Sequence, residues 1–221
     1  MSDSEPTPGT DGSSPRTGRK KQATRARIVD SAIPLFSEAG YDTITMDAIA
    51  KAAGVSRANL YLHFSAKAEL VAAMLEQLSP EVVKSYRALD SLDASDHDAI
   101  REWVETTSIL WTRRRKQFET LEHALSVEPL VAQRWYQTLG ESADAMVGFL
   151  NRHPIGPERD RARLLLITTM LGFERTLYFV FVRSAPSDPA AIIDVVTAQW
   201  QAVLTGAVAP STQPLNSAVR Q

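Results

Sequence analysis

From about residue 20 to residue 205, apolar side chains recur at intervals of three and four, the period of a helix that buries one face. Alternating apolar and polar runs bounded by turn dipeptides, the mark of a sheet, are missing. The pattern predicts an all-α chain with helices near 20–39, 46–53, 56–63, 66–90, 96–112, 117–125, 129–151, 157–182 and 189–205. Proline supports several boundaries, because its missing N–H costs nothing at a first helical position. Ser79-Pro80-Glu81, Gly156-Pro157-Glu158 and Asp188-Pro189-Ala190 are therefore expected helix starts. Pro34 falls inside the first pattern, cannot bond the carbonyl of Asp30, and predicts a kink on the outward side with no functional account.

Two ends break the pattern. Thirteen of the first 18 residues are Gly, Pro, Ser or Thr, too little apolar surface to offset the entropy of ordering, so 1–18 is expected to be a disordered tail. Residues 206–221, with Pro210 and Pro214, are expected to fray likewise. The last two long helices are apolar on more than one face. Leu164, Leu165, Ile167, Leu171, Phe179 and Val182 cannot all enter one monomer core, so a second face should pack in a homodimer through those helices.

The 221 residues carry 24 Lys and Arg against 26 Asp and Glu, a net charge of -2 that alone argues against a polyanion partner. The distribution reverses that inference. Residues 1–14 sum to -3, 15–70 to +4 and 71–221 to -3. Six of the nine bases in the cationic part, among them Arg19, Lys20 and Lys21, fall within twelve residues at the entry to the first helix. Such an arm suits phosphate contacts or minor-groove insertion, or is a solvated helix end. No cysteine is present, which excludes disulfides, thiolate metal sites and thiol nucleophiles. No signal peptide and no run of about 18 uninterrupted apolar residues is found, so a cytoplasmic chain without membrane contact is expected.

Between residues 41 and 64 two short helical patterns flank a glycine. Thr45 is placed to cap the first and Ser56 the second, Gly54 supplies the positive φ between them, and Val55 plugs their angle. Ile49, Ala50, Ala53, Leu60 and Phe64 face inward, and small Ala50 permits close crossing. This spacing fits a helix-turn-helix or an αα-corner of any bundle. In the first case Arg57, Ala58, Asn59 and Tyr61 project from the second helix as the base-reading set, with Arg57 suited to guanine O6 and N7.

The stretch 26–75, with Leu35-Phe36, Gly40-Tyr41, Thr45, Ala53-Gly54-Val55-Ser56, Leu60-Tyr61, His63-Phe64 and Lys67, closely resembles the DNA-binding domain of TetR/AcrR-family transcriptional regulators. The resemblance implies a DNA-binding domain over 19–66 and an effector-binding and dimerisation domain over 67–205. It implies phosphate contacts at Thr45, Tyr61, His63 and Lys67, beside the basic arm. It further implies a homodimer on a palindromic double-stranded operator, with reading heads about 34 to 36 Å apart, and a small apolar effector.

Beyond residue 71 the chain is rich in large aromatics, which at helical spacing are core or pocket. Phe173 to Tyr178 and Ile192 to Trp200 resemble the C-terminal domain of EthR-type regulators. Carried over, Trp103, Leu110, Trp135, Leu139 and Met170, with Phe173, Glu174, Tyr178 and Trp200, would line a long apolar tunnel. Met170 and Phe173 replace polar amides of that pattern, and Arg114 and Ser142 replace aromatics, so the ligand need not be the same. Glu174 and Arg175 stand in an apolar run, and unpaired burial of either would cost several kcal/mol. Arg175 is expected to pair with a charge on another helix; Glu174 is either such a pair or a polar anchor of the tunnel. Arg113 to Lys116 reads as a basic helix C-terminus, or, through Arg114, as the anchor of an anionic head group.

Nothing points to catalysis. His63, His97, His123 and His153 lack paired metal spacing, Glu119 with His123 is a lone i, i+4 pair, and neither a Gly-rich phosphate loop nor a Gly-x-Ser-x-Gly elbow occurs. No cofactor or metal is expected. A helical carrier of lipid or acyl chains is the alternative to a ligand-responsive repressor, and it leaves the basic arm and the paired short helices without purpose.

Overall fold

The computed structural model describes residues 15–207. The described residues form ten α-helices and one π-helical turn, with no strand among them. α1 (Pro15–Ala39), α2 (Met46–Ala52) and α3 (Arg57–Tyr61) make a small N-terminal unit, and α4 (Lys67–Asp90) leads from it into the larger bundle. That bundle holds α5 (His97–Arg113), α6 (Arg115–Val127), α7 (Pro129–Ala145), α8 (Val147–Leu150) and α9 (Pro157–Leu177). The π-turn Tyr178–Val182 and α10 (Pro189–Thr205) complete it.

In the small unit Ile28, Val29 and Phe36 of α1 meet Ile49 of α2, Leu60 of α3, Phe64 and Leu70, all buried. Burial of such side chains stabilises by about 1.5–3 kcal/mol each, before entropy is charged against it. In the larger unit α4 lies along α7 and α5 along α10. The buried apolar cluster continues through both units from Ile28 to Leu204, so they share one core.

Several boundaries differ from the periodicity. α1 begins at Pro15, five residues before the expected start, with proline at its first position; Arg19, Lys20 and Lys21 are therefore fixed on a helix. Of the expected tails 1–18 and 206–221, residues 15–18 are instead the first turn of α1, Gly206 caps α10 in a left-handed conformation, and 1–14 and 208–221 lie outside the described residues. Pro34 lies within the continuous α1 on its exposed side, the outward side expected of it. Pro80 does not start a helix but sits within α4, also exposed. Interior proline costs about 3 kcal/mol, and burial of Leu75, Tyr86 and Leu89 on either side offsets it.

The expected helix 129–151 breaks at Met146, which is fully buried at φ -83 and ψ 63. The cause is distant in sequence: the Asp90 carboxylate accepts from the N–H groups of Gly148 and Phe149 at 2.7 Å each and so begins α8. The basic run 113–116 is not one helix C-terminus. Arg114 caps the end of α5, whereas Arg115 opens α6, where Arg115 pairs with Glu119. The stretch Pro157–Val182 is apolar enough to cross a membrane by length and composition. Its Ala162, Leu166, Ile167, Met170, Phe173 and Leu177 are buried against neighbouring helices, which makes it a core helix.

Candidate functional site

The turn between α2 and α3 is built by local chemistry. Thr45 Oγ1 accepts from the Ala48 N–H at 3.2 Å and Ser56 Oγ from the Asn59 N–H at 3.1 Å, so both caps are in place. Gly54 adopts φ +63, a conformation that a side chain would strain. With Leu60 buried, Arg57, Ala58 and Tyr61 stand exposed on the outer face of α3, while Asn59 is half-buried. Arg57 Nη1 donates to Asp47 Oδ2 at 3.0 Å, and its guanidinium lies 5.7 Å from the Tyr61 ring centre. That pair was not foreseen; a carboxylate one helix earlier, at Asp47, was its signal.

The expected phosphate-contacting residues are less uniform. Thr45 is exposed, and its hydroxyl proton remains available after capping. Arg19, Lys20 and Lys21 are exposed along α1. His63 is half-buried, its Nδ1 has no partner, and desolvation with Lys21 and Arg25 nearby holds its pKa below the usual value. Both effects favour its neutral form in the free protein. Lys67 is committed elsewhere: its Nζ donates to the carbonyls of Tyr41 at 2.7 Å and Asp42 at 3.2 Å and lies over the Tyr41 ring. Its charge holds the loop that presents Thr45. Arg25 performs a similar task unseen in the sequence, stacking over Phe64 and donating to the His63 carbonyl.

The same loop joins the two units. Tyr41 OH donates to Glu128 Oε1 at 2.7 Å, and His123 Nε2 lies 2.9 Å from Asp42 Oδ2. Burial and Glu128 raise the Tyr41 pKa well beyond its ordinary range. Lys67, Tyr41 and Asp42 thus connect the start of α4, the α1–α2 loop and α6.

In the larger unit a cleft of ≈ 50 Å³ opens between α4, α5, α7 and α9. Trp103, Leu110, Trp135, Phe173 and Glu174 line it as expected positions; Tyr86, Trp111 and Phe118 join them unannounced. The free chain does not present a long tunnel. Trp103 lies 5.3 Å from Phe173 and 5.7 Å from Trp200 between ring centres, and these rings fill the space. Leu139, Met170 and Trp200 are buried in the core outside the lining, and Tyr178 sits half-buried on the π-turn. Arg114 Nη1 pairs with Glu81 Oε2 at 3.1 Å, where the cleft meets a second, more open cavity.

Glu174 is 7% exposed and accepts from Trp135 Nε1 at 3.0 Å. Burial pushes its pKa up to about 8; the Trp135 N–H and Arg175 oppose this and Glu122 adds to it. Arg175 donates to Glu122 Oε2 at 2.6 Å, the inter-helix pair expected of it. Leu164 and Leu171 of α9, Phe179 of the π-turn and Val195 of α10 are exposed. An open, largely apolar groove of ≈ 580 Å³ runs between Leu165, Phe173, Val195 and Ala202.

Residues 28–74 match the family model of bacterial regulatory proteins, tetR family. Over 81 residues the chain is 41% identical to the HTH-type transcriptional regulator TtgR of Pseudomonas putida, covering 37% of this chain and 39% of that protein. It is 28% identical over 144 residues to the HTH-type transcriptional activator FasR of Mycolicibacterium smegmatis, 65% of either chain. In fold it is similar to Thermus thermophilus FadR, a TetR-family transcriptional repressor solved with lauroyl-CoA. The TM-score is 0.58 at 19% identity, over 87% of this chain and 98% of that one. The chain spans about 39% of the length of the first curated relatives it matches.

Proposed function

We propose that this chain, a tetR-family member through its N-terminal helix-turn-helix, is a dimeric transcriptional regulator that binds a palindromic operator and is released from it by a small effector. The observation that carries the reading is α4. Its first residue, Lys67, grips the loop of the reading unit, while Leu78, Val82 and Tyr86 further along form a wall of the cleft. A molecule that binds better to an opened cleft would move α4 and with it the reading head. It acts only by that differential affinity.

Arg57, Ala58, Asn59 and Tyr61 would read bases, with Thr45, His63 and the arm of Arg19, Lys20 and Lys21 on phosphates. Lys67 would act by holding the loop and by sharing its charge with a phosphate on binding. The exposed apolar strip of α9 and α10 would pair with its copy about a twofold axis. The likeness of the C-terminal half to EthR-type regulators belongs to the same proposal, as does repression rather than activation. A carrier of acyl chains is the second reading, favoured by the lauroyl-CoA held in the similar FadR structure, but it gives the capped, outward-facing α3 no task. Fluorescence anisotropy with the intergenic DNA beside its own gene tests the proposal. Tight binding that weakens steeply with salt, and is weakened in Arg57→Ala, is expected. Salt-insensitive or absent binding would overturn it.

A further inference from the structure

The charge pattern of the cleft specifies more than an apolar ligand. Rings of Tyr86, Trp103, Trp111, Phe118, Trp135 and Phe173 face it, and its charged groups are Glu81 and Glu174. Among the described residues that line it, none is basic. Glu81, at the mouth, already has Arg114 as its partner. Glu174, deep in the site, does not: Arg175, its neighbour in sequence, is turned to Glu122, and the carboxylate is met by one indole N–H.

We propose that the cleft binds an organic cation, a lipophilic ammonium whose head lies against Glu174 among the aromatic faces and whose hydrocarbon part follows Leu78, Val82 and Leu110. The proposal rests on the reading of the cleft as the effector site. A buried carboxylate without a counter-charge is costly, and a bound cation supplies one. The ring faces carry negative potential and attract a desolvated cation within about 6 Å. An anion of the same size would meet no base among the lining residues, and Arg114 at the mouth is already held by Glu81. At ≈ 50 Å³ the cleft holds about one water. The ligand therefore selects an opened arrangement, reached by rotation of Trp103 away from Phe173 or displacement of α4 beyond Pro80.

Proton linkage follows from the surroundings of Glu174. Burial and Glu122 of α6 favour its neutral form, while Trp135 of α7 and Arg175 of α9 oppose; Tyr86 and Glu81 of α4 face the same space. With a pKa of about 8 the carboxyl is mostly protonated at neutrality, and an arriving cation displaces that proton to solvent.

The test is isothermal titration of the full chain with dodecyltrimethylammonium, dodecanol and dodecanoate, below their micellar concentrations, at pH 6, 7 and 8. These share a chain and differ in head charge. The ammonium is expected to bind at least about tenfold tighter than either other probe at pH 8, weakening by up to about tenfold per pH unit below that as the proton competes, with close to one proton released per cation bound at pH 6. Glu174→Gln should remove the preference of the ammonium over dodecanol and flatten the profile; the wild-type profile stands without the variant. Tighter binding of dodecanoate, absence of binding by all three, or a pH-independent ammonium affinity would overturn the proposal. DNA binding by the ligand-free wild type is read separately. Its failure removes the regulator reading, and its success with no cation binding removes this inference alone.

Discussion

The outer face of α3 and the cleft beside α9 hold their functional groups in opposite ways. On α3, Arg57 and Tyr61 stand in water, fixed by two side-chain caps and a glycine within a dozen residues of chain. In the cleft, Glu174 is withdrawn from water and kept in place by Trp135, 39 residues away in sequence. Replacing a group of the first kind should change what the surface contacts and leave the fold alone. Replacing one of the second kind should change stability and its dependence on pH.

The largest expected effect on that contrast is Trp200→Ala. The ring is fully buried against Tyr86, Trp103 and Phe173, and its loss should cost about 3–5 kcal/mol in chemical denaturation. A loss below about 1 kcal/mol would mean that the cleft region is loosely packed.

Glu174→Gln comes next. The folded pKa of Glu174, about 8, lies above the ordinary 4.5, so between those values the native state binds more protons than the unfolded one. Stability contributed by the neutral group is complete below pH 4.5 and is lost as pH rises towards 8. At ~1.4 kcal/mol per pKa unit the variant should gain on the order of a few kcal/mol relative to wild type at pH 8–9. Denaturation curves at pH 5 and pH 9 measure this; equal differences at both would break the assignment of a neutral buried acid.

Arg57→Ala should leave the denaturation midpoint unchanged, because its pair with Asp47 is exposed. It should weaken operator binding by about 1–3 kcal/mol, the discrimination carried by one good bidentate base contact. Altered stability with unaltered DNA affinity would reverse the contrast at this residue.

The smallest effect lies where the two regions meet. Asp42→Asn removes the exposed partner of His123, and should cost at most about 1 kcal/mol of stability. Ligand titrations with and without operator DNA should nevertheless show a smaller mutual effect in the variant. An unchanged coupling would assign transmission to the grip of Lys67 on the loop alone.

Legibility followed the range of the interactions. Thr45, Ser56, Gly54 and the inward stripe of Ile49, Leu60 and Phe64 act within a few residues, and their spacing marks two capped short helices at a turn, which the resemblance over 26–75 reads as a helix-turn-helix rather than an αα-corner. The starts at Pro157 and Pro189 were readable for the same reason; the need of Arg175 for a partner was readable from the cost of unpaired burial, but not that partner, Glu122, 53 residues away. Pro80 read as a start because the local rule is right in isolation; the packed Leu75, Tyr86 and Leu89 overrode it. The break at Met146 depends on Asp90, 58 residues before Gly148. No window of sequence contains both.

By itself, then, the chain determined that it is helical, where its two capped short helices lie, and that its net charge of -2 conceals a cationic unit and acidic segments. Those properties come from periodicity, capping and summed charge, which need no neighbour distant in sequence. Tertiary structure decided that Lys67 holds a loop, that Trp103 and Phe173 close the cleft, and that Glu174 is buried without a counter-charge. Each depends on the crossing of helices far apart in the chain, where a shift of an ångström decides whether a charge meets a partner or a ring.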